Sequence, residues 1–129
     1  MASLINPLAR ARGLGSARRG TGHWFSQRAT AVLLIFLLGW GVYAAVALAG
    51  AGYAEAHAFV AHPVNAALLL LLLISLLWHA MLGLQVVIED YVHHPFTEWL
   101  LHFLTRAATW LGMALAVVYV LKIALGAEP

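Results

Sequence analysis

The sequence predicts an all-α membrane protein: three transmembrane helices in an up-down-up bundle, with the N-terminus cytoplasmic. Three observations predict it. Of 129 residues, 64% are hydrophobic and 9% charged. With a mean hydropathy of +0.89, too little polar surface remains for a soluble domain of this length. Three apolar runs are each long enough to cross a hydrocarbon core of ~30 Å. Arginine is concentrated before the first run, and a segment rich in positive charge stays in the cytoplasm.

Residues 1–28 read as a basic arm. Arg10, Arg12, Arg18, Arg19 and Arg28 all precede the first run, and no acidic residue occurs before Glu55. A basic, acid-free, serine-containing start also fits an organellar transit peptide. The expectation here is a retained cytoplasmic arm lying on anionic headgroups or on a partner subunit. Residues 29–129 form the anchor domain. Its first span, 29–49, is uncharged, and Gly39, Gly41, Ala44 and Ala45 permit close helix packing. Residues 50–63 carry Glu55 but no Lys or Arg, and read as a short outer loop. The second span, 64–88, contains the run LLLLLLISLLW. The stretch EDYVHHPFTE then breaks the pattern, with Pro95 barring a continuous helix. The third span, 99–125, opens on a wetter turn with His102 and Arg106 and ends at Gly126. No internal repeat is evident. The surroundings expected are the lipid bilayer of a bacterial cytoplasmic membrane, with no nucleic acid partner.

The absence of cysteine excludes disulfides, iron–sulfur ligation and thiolate chemistry within this chain. Seven histidines in so apolar a chain point instead to metal or proton chemistry. His57, His62, His93 and His94 fall in or beside loops, where a histidine simply tolerates headgroups. His79 is different, because it lies deep in the second span among Leu76, Leu77, Met81 and Leu82. Intramembrane ionisable residues are functional by default, and a neutral imidazole ligates metals. The plainer role is a hydrogen bond to a neighbouring helix.

Alignment favours ligation. His79 and Asp90 are eleven residues apart, about three helical turns plus 20°, so they share a face at roughly 16 Å separation. Gly83 lies on the same stripe, leaving room for a large flat group such as haem against the backbone. The other histidines are at the wrong depth to meet His79 at one iron. A six-coordinate haem therefore needs its second ligand from another polypeptide, and three helices alone would leave a haem or quinone exposed to lipid. Asp90 and Tyr91 stand where the second span leaves the bilayer. Tyrosine at that depth is commonly an anchor, but a phenol also donates to a quinone carbonyl while a nearby carboxylate orients it or relays protons. Arg28 is expected at that same level. It serves there as a membrane anchor, as a partner for a haem propionate, or as a charge beside Asp90. His23, Trp24, Gln27 and Arg106 are weaker candidates for this zone.

The set H-A-x-x-G-x-x-x-x-x-x-D-Y-V (His79, Ala80, Gly83, Asp90, Tyr91, Val92) and the approach GTGHWFSQRATA to the first span resemble the small hydrophobic membrane-anchor subunit of succinate dehydrogenase (respiratory complex II). The resemblance covers essentially the whole chain. It implies that His79 is one axial ligand of a haem b, with the other ligand on a larger cytochrome b anchor subunit. It places Tyr91 against ubiquinone (or menaquinone) with Asp90 beside it, and Arg28 near the haem propionates. FAD and the iron–sulfur clusters would lie on the flavoprotein and iron–sulfur subunits, where succinate is oxidised. A trimer of the four-subunit unit stays open. Glu89, directly before Asp90, departs from the family pattern. Two alternatives stand beside this: the anchor of a fumarate reductase, or an assembly protein without haem. A proton-coupled transporter is disfavoured, because no carboxylate lies inside the spans.

Overall fold

The structure, a computed structural model, describes residues 17–126, so Arg10 and Arg12 lie outside the described residues. Four helices follow in order: α1 (Ala17–Ala47), α2 (Tyr53–Ala61), α3 (Pro63–Tyr91) and α4 (Pro95–Ala124). The described residues include no strand. Three of the helices, over Thr21–Ala47, Pro63–Tyr91 and Pro95–Ala124, are long and apolar enough to cross a membrane. The expected all-α, three-span class is therefore observed.

Several boundaries differ from expectation. Helix α1 begins at Ala17, inside the segment read as an arm, because polar residues do not stop a helix that runs on past the hydrocarbon. The outer loop is largely the helix α2. Glu55 reaches back to the Gly52 N–H at 3.3 Å, satisfying one of the free donors at that helix start. Gly50, at φ +87°, turns the chain out of α1 in a conformation that side chains resist. Pro63 and Pro95 each stand in the first turn of their helices, where a missing N–H costs nothing. Helix α3 continues through Tyr91, so Glu89, Asp90 and Tyr91 belong to its last turn and only Val92–His94 break the chain.

Helix α3 is the centre. Both α1 and α4 pack on it, and among the described residues they do not touch each other. Along α1 the inward positions are His23, Gln27, Thr30, Leu34, Leu37, Gly41 and Ala44, with Leu34, Leu37 and Ala44 buried and the rest half-buried. Steps of four and three residues alternate, the period of helices that cross at a shallow left-handed angle. Gly41 brings the backbones together, since a Cβ there would stand 3.2 Å from Leu72 Cδ2. Gly112 of α4 does the same against Leu77, also at 3.2 Å. Trp78 and Trp110 meet edge to face at 6.2 Å, a favourable aromatic geometry. Helix α2 packs on α3 and α4, and the Asn65 amide donates to the Phe59 carbonyl at 2.9 Å. Only 17% of the apolar window of each span is buried inside the chain. The rest faces lipid or another polypeptide.

Candidate functional site

His79 is the seventeenth of the 29 residues of α3, near the middle of the span. Met81 and Leu82 beside it are buried, whereas Leu76 is exposed and His79 itself half-buried. The leucine-lined burial expected from sequence is thus incomplete. Its open side belongs to a pocket of about 280 Å³ lined by Gln27, Arg28, Ala31 and His79. Pockets that enclose a ligand usually measure roughly 300–1,000 Å³, so this one is at the lower edge of that range and only partly enclosed.

The contact between α1 and α3 at this level is polar. Thr30 Oγ1 lies 3.0 Å from His79 Nδ1, and also 2.9 Å from the Ser26 carbonyl and 3.1 Å from that of Gln27. Further toward the start of α1, His23 Nε2 meets Gln85 Oε1 at 3.2 Å, and Gln85 is buried. A Cβ on Gly83 would stand 3.9 Å from Gln27 Nε2, so the gap left by that glycine is faced by the Gln27 amide. Thr30 and Gln85 were not singled out from sequence, and Gln27 only weakly.

These pairs fix the register of the two antiparallel helices and correct the expected depth of Arg28. Thr30 is level with His79 and His23 with Gln85. Arg28, two residues before Thr30, is therefore within about 3 Å of the His79 level. It does not stand at the level of Asp90, which lies about 13 Å further along the axis. The polar residues around Arg28 suggested a membrane surface, but α1 runs on for eleven residues before it. The structure brings Arg28 and His79 to one pocket, and the Arg28 guanidinium also lies 5.8 Å from the Trp24 ring centre, within cation–π range.

Asp90 and Tyr91 are not part of that pocket. Both are exposed in the last turn of α3, Tyr91 to 80%. The negative end of a helix dipole disfavours carboxylates by about 0.3–1 kcal/mol each, yet Glu89 and Asp90 stand together there with no basic residue in the turn. Aromatic rings continue this rim onto α4: Phe96, Trp99 and Phe103 follow one another, the last two stacked at 5.8 Å. A larger cavity of about 410 Å³ between α3 and α4, touching Met81, Leu84, Leu104 and Thr109, has no titratable side chain in its lining.

No group of three or more His, Asp or Glu residues gathers as a metal cluster among the described residues. A haem makes a different demand, because the porphyrin supplies four donors and the protein only axial ones. One imidazole with a cationic side chain and the small residue Ala31 fits one edge of such a group, whereas Gly83, expected to give it room, faces the Gln27 amide instead.

Comparison with known proteins decides the family. Residues 2–125 match the family described as Succinate dehydrogenase/Fumarate reductase transmembrane subunit. The chain belongs to that family. Among its relatives, the succinate dehydrogenase hydrophobic membrane anchor subunit of Rickettsia bellii is 39% identical over 85 residues, covering 66% of this chain and 68% of the relative. The anchor subunit of the same name from Rickettsia conorii is 33% identical over 88 residues, 67% of this chain and 70% of its own. That of Coxiella burnetii is 32% identical over 83 residues, 60% and 67% of the two chains. No solved structure matches the chain significantly. Family membership and three apolar helices make this a multi-pass bacterial membrane protein.

Proposed function

We propose that this chain is the membrane anchor of a bacterial succinate:quinone oxidoreductase, sharing a haem b with a partner cytochrome b subunit and forming part of the quinone-reduction site. One observation carries it: His79 at mid-span and Arg28 line one incomplete pocket, while Asp90 and Tyr91 stand exposed at the rim below it. Relatives named for succinate dehydrogenase favour that direction over fumarate reduction.

In this role the arginine-rich start of the chain lies in the cytoplasm of the inner membrane. His79 would hold a haem through one ring nitrogen, and its depth would leave any second ligand to the partner. Arg28, beside it, neutralises an anionic propionate. When bound, the haem supplies a one-electron carrier inside the bilayer. Succinate oxidation, FAD and the iron–sulfur clusters belong to the two soluble partners. At the rim, quinone takes two electrons and two protons to become quinol. The Tyr91 hydroxyl donates to one quinone carbonyl oxygen, and the Asp90 carboxylate orients incoming donors and passes protons from the cytoplasm. The exposure of both residues calls for partner surfaces to close the site.

The test is a reduced-minus-oxidised spectrum of the complex purified with its partners. His79→Ala is expected to abolish the b-type band. A band left unchanged removes the assignment of His79 as ligand.

A further inference from the structure

Thr30 of α1 shares a hydrogen bond with His79, and the proposed function gives it no task. Its hydroxyl has one proton and two lone pairs. Three groups lie within reach: the carbonyls of Ser26 and Gln27 at 2.9 and 3.1 Å, and His79 Nδ1 at 3.0 Å. The carbonyls can only accept. If the hydroxyl gives its proton to a carbonyl, its oxygen remains free to accept from an Nδ1–H, and two hydrogen bonds form. If the proton goes to Nδ1 instead, only one forms and neither carbonyl gains a bond from the hydroxyl. In an apolar span the arrangement with more bonds wins. Back-bonding of threonine to the preceding turn is also the habit of this residue in helices, and its branched Cβ limits the alternatives.

We infer that Thr30 is a positioning residue: its hydroxyl accepts the His79 Nδ1–H, which leaves Nε2 as the nitrogen with a free lone pair and fixes the rotation of the ring. A haem ligand needs such an anchor, because the hydrogen bond on the remote nitrogen sets both tautomer and basicity. The neighbours that hold Thr30 in place are structural. Leu34 and Leu37, one and two turns further along the same seam, are buried against α3. The inference rests on the reading of His79 as an axial ligand.

The test uses the assembled complex with Thr30→Val, Thr30→Ala and Thr30→Ser, beside His79→Ala. Two properties are read that a purely structural role would leave alone: the one-electron midpoint potential of haem b, and the highest g value of its oxidised low-spin EPR signal. Without a hydroxyl acceptor the imidazole is a poorer donor and the ferric form is less stabilised. Thr30→Val and Thr30→Ala are expected to raise the potential, with the reduction equilibrium changed by up to about tenfold, ~59 mV for one electron, and to shift the g value. Thr30→Ser is expected to behave as the unsubstituted chain. If the valine variant does not assemble, the alanine variant, which opens space, carries the same readings. Unchanged potential and g value in the valine or alanine variant, or a serine variant displaced as far as they are, overturn the inference while His79 stands as ligand. A b-type band that survives His79→Ala overturns the ligand reading itself, and the inference with it.

Discussion

Replacing Gly41 by valine should weaken the packing of α1 on α3 by about 1–3 kcal/mol, and Leu72→Ala should return most of that loss. Gly41 is half-buried on the α1 seam, and a Cβ there falls 3.2 Å from Leu72 Cδ2. Favourable carbon–carbon separations are about 3.5–4.0 Å, so alanine requires only that the leucine end swing by a few tenths of an ångström. That displacement costs at most about 0.5–1.5 kcal/mol, against a gain of roughly 1 kcal/mol in helix propensity. Gly41→Ala should therefore be near neutral. Valine adds two more carbons at the same point, and a leucine end cannot clear them without parting the helices. Thermal inactivation of quinone reduction in the purified complex, measured for the four members of the cycle, reads the effect. The expected coupling between Gly41→Val and Leu72→Ala is about 0.5–3 kcal/mol in the compensating direction. If Gly41→Val costs as much in the Leu72→Ala background as with leucine present, the close approach of α1 to α3 at this point is wrong.

Tyr91→Phe should slow quinone reduction roughly twofold to tenfold, the worth of one hydrogen bond of about 0.5–1.5 kcal/mol, while succinate oxidation by a soluble dye persists; parallel loss of both activities would assign the tyrosine to assembly. Gln85→Leu should lower the thermal stability of the complex by about 1–3 kcal/mol, because it leaves the half-buried His23 ring without its partner. Combining it with His23→Phe should recover most of the loss, since removing both halves of a polar pair is far cheaper than removing one. Equal inactivation rates for the single and double variants would show that the His23–Gln85 contact does not hold α1 to α3.

Hydropathy made the three spans legible, because a bilayer demands long uninterrupted apolar helices and nothing else in the chain resembles one. Helix ends were less legible. Arg18, Arg19, His23, Gln27 and Arg28 resemble an arm in composition, yet α1 includes them, and from Thr21 onward they lie within the candidate span, since a helix takes polar side chains without changing its backbone. His79 was visible as a lone imidazole in a leucine run, and its alignment with Asp90 holds because α3 stays helical through Tyr91. Thr30 and Gln85 were not visible for a physical reason. In a soluble helix a polar face marks the side turned away from the core, but α1 is apolar on nearly every side. Its seam is told only by which residues meet α3. The same ignorance of register put Arg28 at the wrong depth, and two hydrogen bonds between helices were enough to correct it.

That α1 and α4, among the described residues, flank α3 without meeting bears on how such a chain is made in the cell. Apolar side chains gain nothing by leaving lipid for one another, so fit between surfaces, not aversion to solvent, must draw helices together in a bilayer. A newly inserted copy offers neighbours far more surface than it encloses, and any well-shaped helix nearby competes for it. Synthesis in step with the other subunits of its complex would limit that competition, and surplus copies would be the natural targets of membrane proteases.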